Sequence, residues 1–218
     1  MIDFEQARVN MVESQIRVND VTDHDIIRAF ATVPRERFVP AQQRALAYMD
    51  EDIAISTEGR FLMEARSLSK LIQLAEVEQD HIVLDIGCGT GYSTAILASL
   101  STSVVALESD EELAGQAADT LMELGVDNAV VVQGALEKGH AKEGPYDIIF
   151  IGGAVEEMSA ALGDQLKDGG RLVVVEGTGN AGRARLYTKR GETFAGRDAF
   201  NSAVKPLPGF EKKPEFVF

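Results

Sequence analysis

His81-Ile82-Val83-Leu84-Asp85-Ile86-Gly87-Cys88-Gly89-Thr90-Gly91-Tyr92 decides how the rest of the chain is read. An apolar run from Ile82 to Ile86 meets glycine at three alternate positions, Gly87, Gly89 and Gly91. Beyond them the apolar period turns helical, with Ile96, Leu97 and Leu100 on one side. The pattern predicts a buried strand, a tight turn and a helix. Glycine lets the backbone take positive φ and lets a ligand touch the main chain, and the free N–H groups of the next helix face the same space.

The spacing then separates the candidate ligands. A nicotinamide or flavin fingerprint reads G-x-G-x-x-G, whereas here the third glycine comes one residue early and Tyr92 stands where the pattern wants Gly. A P-loop needs Gly-Lys-Ser/Thr, and this turn has no lysine. Asp85-Ile86-Gly87-Cys88-Gly89-Thr90-Gly91 resembles the first motif of the class I methyltransferases that use S-adenosylmethionine. An acidic Asp85 ahead of the glycines suits a ligand carrying an ammonium and a sulfonium. The resemblance places Asp85, Gly87, Cys88, Gly89, Gly91 and Tyr92 at the cofactor. Ser103 to Leu107 predicts a second strand, ending in Glu108. That glutamate lies about 20 residues past the first glycine, where doubly wound folds hold ribose hydroxyls on a carboxylate.

Composition narrows the class. The chain has 218 residues, 45% hydrophobic, enough for one domain with a full core. Its formal net charge of −14 opposes nucleic acid as a partner, because it repels phosphates. The charge is uneven: 8 basic and 4 acidic residues lie from Arg183 onward. A single cysteine excludes an internal disulfide and fits a reducing cytoplasm. Cys88 reads as a small side chain in a crowded turn rather than as a nucleophile. His24, His81 and His140 show no metal spacing, so no metal is expected. No run approaches the roughly 20 apolar residues of a membrane span. The N-terminus carries no signal-peptide pattern, so a cytoplasmic location is expected.

Along the chain, residues 3–17 read as a helix, and Thr22 with Asp25 reads as the capping box of a second. Pro34 and Pro40 bracket an extended connector. Ser109 with Glu112 opens a helix along Leu113, Ala117, Leu121 and Leu124, closed by Gly125. Ala129 to Val132 and Asp147 to Ile151 read as buried strands, the latter stopping at Gly152-Gly153-Ala154, whose small residues leave room over the ligand. A helix is expected from Val155 through Leu166 to Gly169-Gly170, then a strand from Arg171 to Val175. Arg183 to Thr188 and Phe216-Val217-Phe218 are expected as antiparallel strands at the sheet edge. Alternating strands and helices imply a largely parallel sheet with helices on both faces, its ligand beyond the carboxyl strand ends.

Met11-Val12-Glu13-Ser14-Gln15-Ile16-Arg17, Val33-Pro34-Arg35-Glu36-Arg37-Phe38-Val39-Pro40 and Ala47-Tyr48-Met49-Asp50 make the resemblance narrower. In order and spacing they are similar to the protein-L-isoaspartate O-methyltransferase family. Pro145 to Ile151 and Gln165 to Val173 continue it, so the likeness runs from about residue 8 to about residue 177. It implies a Rossmann-like, doubly wound, mostly parallel seven-stranded sheet with an N-terminal helical extension. Residues 1–75 would be that helical lid and 76–218 the cofactor core of one domain. It also implies methyl esterification of isoaspartyl carboxylates in damaged proteins, with S-adenosyl-L-methionine consumed and S-adenosyl-L-homocysteine released. Oligomeric state stays open.

Two departures from the family pattern bear on the site. The family's Gly-Gln-Thr-Ile-Ser-Gln-Pro-like loop is here Ser56 to Arg66, with Arg60-Phe61-Leu62-Met63 in place of the hydroxyls. A guanidinium can hold a carboxylate as a fork, which makes Arg60 a candidate acceptor clamp. Phe61, Leu62 and Met63 fit either a pocket over the methyl group or core packing. This leaves another acceptor, or a binding protein without turnover, as alternatives. The family's Gly-Asp-Gly is here Gln133-Gly134-Ala135, so adenine would rest on backbone and apolar contact at Gly134 and Ala135. Gly152 completes the cofactor set.

Overall fold

The computed structural model describes residues 2–177 and 179–212. Helices α1 (Phe4–Met11) and α2 (His24–Thr32) begin the chain, α1 running on as a π-turn over Val12–Ile16. The Pro34–Pro40 connector is more regular than expected, because Arg35–Phe38 forms a 3-10 turn, and a second 3-10 turn, Ala41–Leu46, follows it. A small antiparallel hairpin follows, β1 (Ile53–Ala54) with β2 (Phe61–Leu62), then α3 (Ala65–Ala75).

The core alternates β3 (Ile82–Ile86), α4 (Tyr92–Ala98), β4 (Ser103–Glu108), α5 (Glu111–Glu123) and β5 (Ala129–Gln133). It continues with β6 (Tyr146–Val155), α6 (Ala160–Gly163), β7 (Leu166–Glu176), β8 (Arg183–Arg190) and β9 (Thr193–Asn201). Seven strands form one sheet in the order β5-β4-β3-β6-β7-β8-β9. The first five are parallel, and β8 and β9 close the edge antiparallel. Strand order reverses between β3 and β6, where a doubly wound sheet opens its crevice.

Alternation along the strands divides the core. Val83, Ile148, Phe150, Val173 and Val175 join the N-terminal helices, α3 and α4 in one apolar cluster. Leu84, Ile86, Ile149, Ile151, Leu172 and Val174 face the other way, with Leu162, Leu207 and Phe210 over them. That second face carries far less helix than expected. The helix foreseen from Val155 to Gly170 is a single turn, Ala160–Gly163, because β6 continues through Gly152 and Gly153 to Val155 and β7 already starts at Leu166. The segment from Val204 to Phe210 supplies the missing cover, bridging Ala154 through Pro206.

Smaller corrections have local causes. The N-caps are Asp23 and Asp110, whose carboxylates accept from the next N–H groups, not Thr22 and Ser109. β5 is an edge strand with Val130 half exposed, not a buried one. The second edge partner is β9, while Phe216-Val217-Phe218 lies outside the described residues. Among the described residues, no helix is long and apolar enough to cross a membrane.

Candidate functional site

At the carboxyl end of β3 the chain makes the foreseen glycine bend. Gly87, Gly89 and Gly91 have φ of +78°, +56° and +95°, a region that costs a β-carbon-bearing residue strain. Gly91 also lets α5 come close, since a β-carbon there would meet Ala117 at 3.3 Å. Gly152 lets β6 approach the bend, because a β-carbon there would lie 3.2 Å from the Gly87 carbonyl oxygen. The bend uses its own amides. The Gly87 and Cys88 N–H groups donate to the Leu107 carbonyl at 2.8 and 3.3 Å, and Gly91 donates to Cys88 at 2.9 Å.

Glu108, at the end of β4, is fully buried one strand away. Its Oε2 accepts from the Gly89 N–H at 2.8 Å, and its Oε1 from the Ser109 and Asp110 N–H groups at 2.7 and 3.1 Å. Arg60 completes the shell. Its guanidinium forks onto the same carboxylate, Nη2 donating to Oε2 at 2.7 Å and Nη1 to Oε1, and Nη2 also reaches the Gly87 carbonyl at 3.4 Å. Burial alone would raise the Glu108 carboxyl, but Arg60 with the Asp110 and Gly89 N–H groups brings it below the usual carboxylate range. Arg60 is therefore not a free clamp in this conformation. It sits where the ribose hydroxyls of a nucleoside were expected.

Asp85 also differs from expectation. Its Oδ2 accepts from the Ser93 and Thr94 hydroxyls at 2.8 and 2.7 Å, so the side chain braces the start of α4. Its Oδ1 has no partner among the described residues. Burial, with the Glu108 charge adding to it, outweighs those two hydroxyls and pushes its carboxyl up to about 6. Tyr92, expected at the cofactor, belongs to the core instead. Its ring meets Phe38 at 5.4 Å and Phe30 at 6.0 Å, and the buried Arg35 guanidinium stands 4.9 Å over its centroid. Tyr92 thus anchors the N-terminal helices to the start of α4. Cys88 is buried and its thiol is pushed well up by burial and by the Asp85 and Glu108 charges, so it has no reactive thiolate character.

The family-like Val33 to Pro40 run turns out to be a tie-bar. Arg35 donates to the Ala47 and Met63 carbonyls, each at 2.7 Å, and the Thr90 hydroxyl donates to Phe38 at 2.6 Å. Arg8, Glu36 and Tyr48 form a polar cluster beside it. The N-terminal extension is thereby joined to both the glycine bend and the β1–β2 hairpin.

Side chains that sequence reading left out fill the crevice. A β-carbon on Gly89 would meet Ile55 at 2.7 Å, and one on Gly87 or Gly153 would meet Leu207 at 2.8 or 2.6 Å. The room expected over Gly152-Gly153 is taken by the chain's own Leu207 and by Lys205, whose carbonyl accepts from Ala154 at 2.9 Å. Only Leu207-Pro208-Gly209, as a turn after an apolar residue, hinted at this in the sequence. Phe61, Leu62 and Met63 lie beside Gly87, Cys88 and Gly152 around a cavity of about 20 Å³, room for about one water. Gly134 and Ala135 follow β5, with the Gly134 N–H on the Glu108 carbonyl at 2.9 Å.

Outside this closed slot lies a cavity of about 1050 Å³ between the hairpin turn and the start of α5. Glu58, Asp110, Glu111 and Glu112 line it, and Arg60 is the single cation among its lining residues. The donor set fits a nucleoside cofactor in chemistry: a glycine bend, a strand-end carboxylate and an adjoining cavity. The chain's own Ile55 and Leu207 pack against the bend, and Arg60 occupies the carboxylate. Metal-type side chains gather among the described residues only at Glu78, Asp80 and His81, before β3 and away from this edge.

A family model described as protein-L-isoaspartate(D-aspartate) O-methyltransferase matches residues 6–207. A protein-L-isoaspartate O-methyltransferase of Opitutus terrae is 38% identical over 192 residues, spanning 86% of this chain and 82% of the relative. Another, of Herpetosiphon aurantiacus, is 32% identical over 215 residues, spanning 97% and 96%. A solved protein-L-isoaspartate O-methyltransferase superposes with a TM-score of 0.81 at 24% identity over 93% of this chain and 67% of that one. A Plasmodium falciparum chain described as a beta-aspartate methyltransferase, in complex with S-adenosyl-L-homocysteine, gives 0.79 at 20% identity over 96% and 100%. At those identities the two structures speak for the fold.

Proposed function

The chain belongs to the protein-L-isoaspartate(D-aspartate) O-methyltransferase family, and from that membership we propose that it methyl-esterifies isoaspartyl carboxylates with S-adenosyl-L-methionine. The observation that carries this reading is the positive-φ glycine bend beside a buried strand-end carboxylate at the switch in strand order. Glu108 would hold the ribose, Gly87 to Gly91 and Gly152 would admit the cofactor against the main chain, and Gly134-Ala135 would meet adenine. When bound, S-adenosyl-L-methionine would supply an electrophilic methyl group on a sulfonium.

An acceptor carboxylate is ionised at neutral pH and needs no general base. The protein's own work is to orient the two partners and exclude water. This accounts for a site with no nucleophile–base pair. Leu62 and Met63 are buried, and Phe61 packs under the Lys205 ammonium at 5.2 Å, so the altered loop is built of packing groups. Of the two arginines in that loop, Arg66 is paired with Glu64 and Asp50, and Arg60 is the one that lines the cavity.

The test is incubation with an isoaspartyl peptide and methyl-labelled S-adenosyl-L-methionine. Label released as methanol at mild alkaline pH is the expected result. Label that is transferred but stays base-stable would point to a different acceptor, and no transfer at all would reject the enzyme.

A further inference from the structure

Arg60 and Glu108 make an unusual pair for a cofactor site. The Glu108 oxygens accept from the Gly89, Ser109 and Asp110 N–H groups, from the Ser109 hydroxyl at 3.2 Å and from two arms of Arg60. A carboxylate offers about four lone-pair sites, so a ribose diol finds none free until a donor leaves. The main-chain donors are fixed in the bend and at the cap of α5. Arg60 is the one donor on a separate element, a hairpin of two-residue strands with a turn through Gly59 at φ +80°. Such a hairpin is marginal by itself.

The same guanidinium lines the cavity of about 1050 Å³, whose other charged lining residues are acidic. An anionic acceptor entering that cavity meets four carboxylates and one cation. While Arg60 serves Glu108, that cation is spent.

We propose that Arg60 stands in for the cofactor's ribose on Glu108 and, once the ribose displaces it, becomes the anchor for the acceptor carboxylate. Cofactor binding thereby creates the acceptor site. This rests on the proposed function and deepens it: cofactor binds first, and the acceptor is held by a planar cation in place of hydroxyls. Two ligands that compete for and then release one group are linked through it. The occupied latch lowers cofactor affinity by the fraction of molecules in which it is closed.

The experiment is calorimetric titration of the full chain with S-adenosyl-L-homocysteine, wild type against Arg60→Ala, paired with the KM for an isoaspartyl peptide. The expected pattern has opposite signs. The variant binds S-adenosyl-L-homocysteine at least tenfold tighter, and its peptide KM rises at least tenfold. A merely structural Arg60 would weaken both. Hydrogen exchange on the wild type supplies a reading that needs no variant, with amides 53–62 exchanging faster when S-adenosyl-L-homocysteine saturates the protein. Equal or weaker binding by Arg60→Ala, or unchanged exchange at 53–62, overturns the latch and leaves the proposed function standing. Binding by neither protein overturns both.

Discussion

At the scale of single residues, the site is governed by which partner a buried charge finds. Among the described residues Asp85 finds two hydroxyls and no cation, and its carboxyl is pushed up to about 6 by burial. Raised above its unfolded value, this group favours the folded state while protonated and loses that contribution as pH rises through about 6. Asp85→Asn keeps an acceptor for Ser93 and Thr94 and removes the titration. Relative to wild type, the variant should gain about 1 to 2 kcal/mol of stability between pH 5 and pH 7.5. Urea unfolding at the two pH values reads this, and a gap that does not change with pH would show that Asp85 stays ionised. Arg35 illustrates the opposite solution, a buried cation satisfied by two carbonyls and an aromatic face.

At the scale of elements, the segment from Val204 to Phe210 does the work of a helix. Leu207 is buried over Gly87 and Gly153, its N–H donates to Ala154 at 2.9 Å, and no β-carbon at either glycine would leave it room. Leu207→Ala should cost about 2 to 4 kcal/mol by lost burial and the cavity left behind. Leu46→Ala, at an exposed leucine on a 3-10 turn, should stay within about 0.5 kcal/mol. Denaturant midpoints at constant slope compare the two. Similar losses at both would mean that the segment does not pack as described.

At the scale of the whole molecule, the two faces of the sheet are unequally covered. One carries α3, α4 and the N-terminal helices, and the other one helical turn, 3-10 turns and an irregular strap. Amide exchange should follow that asymmetry. The slowest amides should lie in β3, β4 and β6, strands paired on both sides. Those of 156–165 and 204–210 should exchange by local opening well before global unfolding. A uniform rate across these segments would contradict the asymmetry. The net charge of −14 acts at the same scale, and retention of duplex DNA is not expected even at low salt.

By itself the sequence determined what depends on neighbours along the chain. Ile82–Ile86, the glycine bend and the strand ending in Glu108 were all legible, because period and positive φ act within a few residues. Its misses began where a local pattern had a distant competitor. The helix expected after Val155 gave way to two long paired strands, β6 and β7, whose ladder is set by residues some twenty positions apart. Tyr92 went to the core because Phe30, Arg35 and Phe38 close around it. Only the tertiary structure decided that Arg60, 48 residues from Glu108, would take up its carboxylate. A charge removed from water binds the nearest opposite charge that folding brings to it, and no spacing in the chain records which one that is.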